Sequence, residues 1–286
     1  WRAIDQQRSP KYRHKRWVAE EGGQIVGTAS YSQHLFNYHP QKFSIHVIVL
    51  PVYRRRGFGA ALFDQIMVGL RPYDPQTLRA DGYSNQLEGV RFLEERGFVE
   101  VFREYPLHLN VDGFDPAPYA GLEAKLRAQG IEIKTLTDLE ADPERNRKVY
   151  ELFWELTGEI PGEGTVVTPM PFDDWVNWTI KDPLVPHEGY FIAMHGDEYV
   201  GLSEFGKYPD QDGLQGGLVG VKRAYQRRGI ALAMQVRGIA YARENGHPII
   251  KTSTGTINKP MFSLYDRLGF VRQPDWIQFE KVIQKL

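Results

Sequence analysis

Apolar and polar residues alternate along both arms of "WVAEEGGQIVGTASY" (Trp17 to Tyr31), and a glycine pair separates the arms. A period of two broken by a tight glycine turn predicts a β-hairpin. "FIAMHGDEYVGLSEF" (Phe191 to Phe205) has the same form and predicts another. Each hairpin is followed by a further β-rich stretch, "FSIHVIVL" or "GLQGGLVGV", then by an arginine-glycine turn and a helix of small and apolar residues. A strand ("TLRADGYS"; "PIIKTSTG"), a helix ("LEGVRFLEER"; "KPMFSLYDRL"), a Gly-Phe pair and a final strand close each series.

The two series are copies of one pattern. Gly57 and Gly229 lie 172 positions apart, and "RGF" (Arg96 to Phe98) and "LGF" (Leu268 to Phe270) keep that offset, as do Tyr53 and Tyr225. The hairpins shift register by about two residues, as a loop insertion causes. We expect two tandem α/β domains, each with a mixed sheet. The Pro- and Gly-rich stretch "NVDGFDPAPYAGLEAKLRAQG" sets the expected partition: residues 1–115, a linker at 116–130, and residues 131–286. The second copy has more before its hairpin: a strand ("IEIKTLTDL"), an amphipathic helix ("DPERNRKVYELFWELTGE", with Pro143 in its first turn) and a second helix ("FDDWVNWTIK"). By the offset, the first copy lacks about 40 such residues. The chain opens on Trp1 without an initiator Met, so the expectation is that the native N-terminus lies upstream.

Composition narrows the partners. At 286 residues, 42% hydrophobic and 25% charged, the chain suits two folded domains rather than disorder. Thirty-five Lys and Arg balance 36 Asp and Glu, so no global field favours nucleic acid or an anionic membrane, and any anion site is local. The absence of cysteine excludes disulfides, thiolate metal sites and cysteine nucleophiles, and it accords with a cytoplasmic location. No apolar run approaches the length of a membrane span.

The chemistry lies in "YQRRGIALAM" and "YRRRGFGAAL". A helix N-terminus offers unpaired N–H groups and partial positive charge, and a preceding glycine lets main chain approach an anion. Gln226, Arg227, Arg228, Gly229, Ile230 and Ala231 supply successive donors in one copy, and Arg54, Arg55, Arg56, Gly57, Phe58 and Gly59 in the other. A diphosphate fits such a series, although a single Arg-Arg-Gly can also be a solvated turn. Neither turn contains the nucleoside-triphosphate loop pattern, and the dinucleotide fingerprint fails at Leu62 and at Met234.

With the strands feeding them, "VGVKRAYQRRGIALAM" and "VIVLPVYRRRGFGAAL", these turns resemble the [QR]-x-x-G-x-[GA] turn of the GNAT family of N-acetyltransferases, which binds the diphosphate of acetyl-CoA. "NKPMFSLYDRLGF" (Asn258 to Phe270) is similar to the N-x-x-[MA]-x-x-x-Y-x-x-x-GF segment of that family. The resemblance covers most of the chain as a tandem arrangement. It implies an acetyl-CoA-dependent transfer to a primary amine, with a small molecule as acceptor. It also implies Tyr265 as general acid, Asn258 as a contact to the pantetheine arm, and the main chain of Val219, Gly220 and Val221 as donors beside the thioester. Read plainly, Tyr265 is a core-facing aromatic, Asn258 a helix cap and Val219 to Val221 a core strand. In the first copy Leu93 stands in the place of Tyr265 and Gln86 in that of Asn258, so catalysis is expected in the second.

The resemblance, in which the strand after the hairpin turn borders the acceptor pocket, implies Glu204 as candidate general base, with Glu159, Glu163 and His195 behind it and a relayed water as the alternative; read plainly, each is an exposed carboxylate or imidazole without a catalytic role. "TGEIPGEGTVVTPMPFDDWVNW" is the candidate acceptor segment, where Trp175 and Trp178 pack either on the acceptor or on a helix face. A non-catalytic acyl-CoA-binding scaffold is the competing reading. No metal is expected.

Overall fold

The computed structural model describes residues 12–33, 38–161, 169–208 and 212–283. Two compact units emerge. Unit 1 joins Trp1–Arg103 to Pro274–Leu286, and unit 2 is Glu104–Gln273. They differ from the partition drawn at residues 116–130 in that the closing strands of the two copies are exchanged. Strand propensity and the Gly-Phe lead-in are alike in both copies, so the sequence pattern carries no mark of which sheet each closing strand joins.

Unit 1 contains β1 (His14–Glu21), β2 (Gln24–Ser32), β3 (Lys42–Val49), α1 (Phe58–Leu70), β4 (Thr77–Tyr83) and α2 (Leu87–Glu94). It is completed by β12 (Trp276–Val282), which pairs antiparallel with β4 from Trp276/Tyr83 to Val282/Thr77. β1, β2 and β3 form an antiparallel meander, and β3 meets β4 in parallel. Leu62, Phe63, Ile66 and Leu70 of α1 recur at helical spacing and are buried against Tyr31, Phe43, Ile45, Ile277 and Phe279. Full burial of such side chains contributes roughly 1.5–3 kcal/mol each before entropy is counted. The opposite sheet face is open, leaving Val18 and Ile48 more than half exposed.

Unit 2 begins in β5 (Val99–Asn110), of which Glu104 to Asn110 pair with β10. There follow α3 (Leu122–Arg127), β6 (Ile131–Thr135), α4 (Arg145–Gly158), α5 (Phe172–Trp175), β7 (Tyr190–His195), β8 (Glu198–Lys207) and β9 (Leu214–Val221). The chain continues through α6 (Ile230–Glu244), β10 (Ile249–Gly255), α7 (Lys259–Arg267) and the short β11 (Val271–Arg272). The sheet order is β5-β10-β9-β8-β7-β6, parallel only between β9 and β10. One face carries α6 and α7 over a core that includes Phe205, Met234, Ile250 and Tyr265. The other carries α4 and α5 over Leu156, Trp175, Tyr190 and Leu202. Pro143 falls two residues before α4, where Asp142 Oδ1 accepts the Glu144 N–H, rather than inside its first turn. The expected second helix is one turn of α5 running into a π-helical turn at Val176–Ile180. Among the described residues, unit 1 has no counterpart of β6, α4 or α5, and no helix is long and apolar enough to cross a membrane.

Candidate active site

Both arginine-glycine turns have the same backbone. Gly229 caps α6 at φ +90° and Gly57 caps α1 at φ +88°, in the left-handed region that glycine enters without a Cβ penalty. Two positions earlier Arg227 (φ +61°) and Arg55 (φ +60°) are also left-handed, at about 1 kcal/mol each or more for a residue with a Cβ. The series of free donors is one residue shorter than expected in each copy, because the Gln226 amide donates to Arg223 O at 3.3 Å and the Arg54 amide to Pro51 O at 3.2 Å inside the preceding 3-10 turn. The amides of Arg227, Arg228 and Gly229 donate to no other backbone group among the described residues, and those of Ile230 and Ala231 open the helix without i−4 partners. Alternating left-handed residues turn successive N–H groups toward one concavity, which suits a diphosphate. Gln226 Nε2 ties the turn back to Val221 O at 3.0 Å, and Arg54 Nε makes the corresponding bond to Val49 O at 3.2 Å. Arg228 covers the Tyr225 ring and Arg56 the Tyr53 ring.

Both copies also fork where a parallel strand pair ends. β9 pairs with β10 only at Leu214/Ile250 and Gln215/Lys251, and β3 with β4 only from Lys42/Thr77 to Ser44/Arg79. Beyond those points Val219, Gly220 and Val221 pair with β8 alone, leaving their other edge toward the fork.

The copies part at the chemistry. Between the pairs Ser203/Val219 and Phe205/Gly216, β8 has one residue, Glu204, and β9 has two, Gly217 and Leu218. This is a β-bulge, and it turns the Leu218 N–H onto Glu204 Oε1 at 2.9 Å. The carboxyl lies over Gly217, where a Cβ would stand 2.7 Å from Glu204 Cγ, so only glycine leaves it room. Some of the Glu204 surface still reaches solvent, but its carboxyl is enclosed. Burial pushes it up to about 7, against the pull of the Leu218 amide and the Tyr190 phenol. Tyr190 is fully buried beside it, with its hydroxyl short of good hydrogen-bond geometry. In unit 1 the β2–β3 register runs without a bulge, and Ser30 holds the place of Glu204.

On the other sheet face Tyr265, 2% exposed, packs on Phe270 in the core of α6 and α7. Its hydroxyl is 3.3 Å from Thr252 Oγ1, which in turn donates to Gly216 O at 3.0 Å, so the phenol ends at the strand fork. Burial raises its pKa and the Thr252 contact partly offsets this, which leaves a protonated phenol at neutral pH. Asn258 caps α7, its Oδ1 accepting the Met261 N–H at 3.4 Å, whereas Gln86 makes no such bond on α2.

The two copies match family models for GNAT acetyltransferases, one over residues 13–100 described as an acetyltransferase (GNAT) domain and one over 124–270 described as the acetyltransferase (GNAT) family. The chain belongs to the GNAT acetyltransferase family. As a GNAT protein it is an acyltransferase that carries out acetyl transfer, and the family uses acetyl-CoA. Mycothiol acetyltransferase from Thermobifida fusca is 25% identical over 270 residues, covering 90% of this chain and 79% of the relative. Its counterpart in Catenulispora acidiphila is 22% identical over 273 residues, covering 93% and 80%. A tandem GNAT protein from the clavulanic acid biosynthesis pathway shares the fold at a TM-score of 0.70 and 18% identity, over 97% of this chain and 85% of that one. A GCN5-related N-acetyltransferase from Sphaerobacter thermophilus does so at 0.68 and 22%, over 92% and 78%.

The remaining candidates are engaged elsewhere. Glu159 pairs with Arg223 at 3.2 Å, and His195 Nδ1 meets the Tyr225 hydroxyl at 3.2 Å, itself donated to Glu198. Glu163 lies outside the described residues. Trp175 is fully buried against Tyr150 and Phe153, while Trp178 is 52% exposed rather than packed on a helix face. Sequence reasoning missed Tyr190, Thr252 and the bulge, although the Gly216-Gly217 pair inside a strand pattern is a signal for a bulge.

Proposed function

We propose that unit 2 transfers acetyl from acetyl-CoA to a primary amine of a small molecule, by direct attack, in the cytoplasm. The relatives' name supports a small-molecule acceptor. When bound, the coenzyme supplies an acetyl group activated as a thioester. Arg227 to Ala231 hold its diphosphate through their amides, on a turn that the Gln226 side chain ties to β9, and Val219 to Val221 orient the adjoining arm with main-chain groups, with Asn258 alongside. The uncommitted amides at 227–231 and the open strand edge are what fit that ligand.

Glu204, held near neutrality, takes the proton of the attacking nitrogen, and Tyr265 protonates the departing thiolate. The observation that carries this reading is internal to the chain. A carboxyl at a bulge on one sheet face and a phenol at the fork on the other occur together in unit 2, and both are absent from the matching positions of unit 1, Ser30 and Leu93. Arg54 to Gly59 of unit 1 keep the same turn, so this copy binds the coenzyme without turnover.

Measuring CoA release with a panel of primary amines tests the assignment. Glu204→Gln and Tyr265→Phe are expected to lose turnover while calorimetry still detects coenzyme. Unimpaired turnover in both would overturn it. Two coenzymes bound per chain, reduced to one by either Arg56→Glu or Arg228→Glu, is the expected stoichiometry.

A further inference from the structure

We propose that Thr252 is a positioning residue that aims the Tyr265 proton into the strand fork and then receives the phenol as a phenolate. This rests on the reading of Tyr265 as proton donor given above. Thr252 is the first β10 residue beyond the last β9 pair, and it is buried. Its Oγ1 stands 3.0 Å from Gly216 O and 3.3 Å from Tyr265 Oη. A hydroxyl has one hydrogen, and a carbonyl oxygen can only accept. The Thr252 hydrogen is therefore committed to Gly216, and Tyr265 must be the donor in the second bond. That fixes the direction of the phenol proton, which a freely rotating hydroxyl would leave undefined.

Unit 1 supplies an independent observation. Ala80 occupies the matching place, the first residue of β4 beyond its last pair with β3, and Leu93 of α2 holds the place of Tyr265. Both hydroxyls are missing together in the copy that also lacks the carboxyl. A Thr kept only to hold the fork shut would be wanted in both copies, since both fork.

The step balances. As the nitrogen–carbon bond is made, Glu204 takes one proton from nitrogen. The carbon–sulfur bond breaks with its electron pair left on sulfur, and Tyr265 Oη turns its proton from Thr252 Oγ1 to that sulfur as the bond to Thr252 is released. Thr252 then rotates its hydrogen from Gly216 O to the phenolate, giving a charge-assisted bond at the moment charge appears. The proton held by Glu204 returns to Tyr265 through solvent, and the Thr252 hydrogen returns to Gly216.

The test is a double-mutant cycle in the full chain. Thr252→Val keeps the side-chain shape, and Thr252→Ala installs what unit 1 already tolerates, so one of the two reports even where the other folds poorly. Each is expected to lower kcat about tenfold, the worth of one bond to an ionised group. Thr252→Ser restores the rate, and calorimetric coenzyme affinity stays unchanged. In a Tyr265→Phe background the Thr252 changes cost nothing further, because no phenolate forms. In the coenzyme-free protein, NMR is expected to show a slowly exchanging Tyr265 hydroxyl proton that persists in Thr252→Ser and disappears in Thr252→Ala. Full kcat in Thr252→Ala, an equal loss in the Tyr265→Phe background, or an unaltered hydroxyl proton would each overturn the inference. Wild-type turnover in Tyr265→Phe alone would instead remove the proton-donor reading, and this inference with it.

Discussion

Replacing Glu204 by glutamine separates what this carboxyl does for the reaction from what it costs the fold. Its ordinary value of 4.5 is pushed up to about 7 by burial. Between those values the folded chain keeps a proton that the unfolded chain has released, so stability falls as pH rises through that window and levels off above about 7. At 1.4 kcal/mol per tenfold, the difference corresponds to about 3 kcal/mol at most, and roughly 1–2 kcal/mol once the solvent-reachable part of the residue is allowed for. Glutamine removes the titration. Glu204→Gln is therefore expected to melt at about the wild-type temperature at pH 5 and several degrees above it at pH 8. On the proposed base role it also lowers kcat by about 100-fold or more and abolishes the rise in kcat/KM centred near pH 7. Calorimetric melting from pH 5 to 9, alongside rates on one acceptor, checks both halves. A wild-type melting temperature that does not fall over that window, or a glutamine variant that keeps the rise near pH 7, would refute the reasoning.

Gly217→Ala forces the Glu204 carboxyl aside, since the new methyl would sit 2.7 Å from its Cγ; turnover should drop with coenzyme affinity retained, as rate measurements and calorimetry would show. Gly229→Ala pushes a Cβ into a φ of +90°, costing about 1 kcal/mol or more of stability and weakening coenzyme binding at least several-fold, measurable by thermal unfolding and calorimetry. Asn258→Ala removes the α7 cap and should cost about 1 kcal/mol by denaturant unfolding, with Asn258→Asp largely restoring it. Ending the chain after Gln273 should leave unit 2 cooperative in unfolding and deprive unit 1 of Ile277 and Phe279, seen as loss of one of two thermal transitions.

Much of this was legible in the residues because the signals are local. Alternation fixed both hairpins, helical spacing fixed α1 and α6, and the left-handed geometry at Gly57 and Gly229 follows from the glycines that precede each helix. The pairing of Glu204 with Gly217 was not legible, because it arises from a register change between strands, which leaves only a Gly-Gly pair as its trace. Thr252 was invisible for a related reason: its importance lies in one hydroxyl meeting a carbonyl on β9 and a phenol on α7, which only the packing of three separate elements brings together. Which sheet β5 and β12 join is equally non-local, since each reads as an ordinary edge-forming segment.

The exchange of closing strands has a consequence for synthesis. Unit 2 is continuous from Glu104 to Gln273 and can condense as it leaves the ribosome, whereas the earlier-made unit must wait, one sheet position vacant beside β4, until Trp276 to Val282 emerge. The unit whose synthesis begins first is thus the one that is completed last.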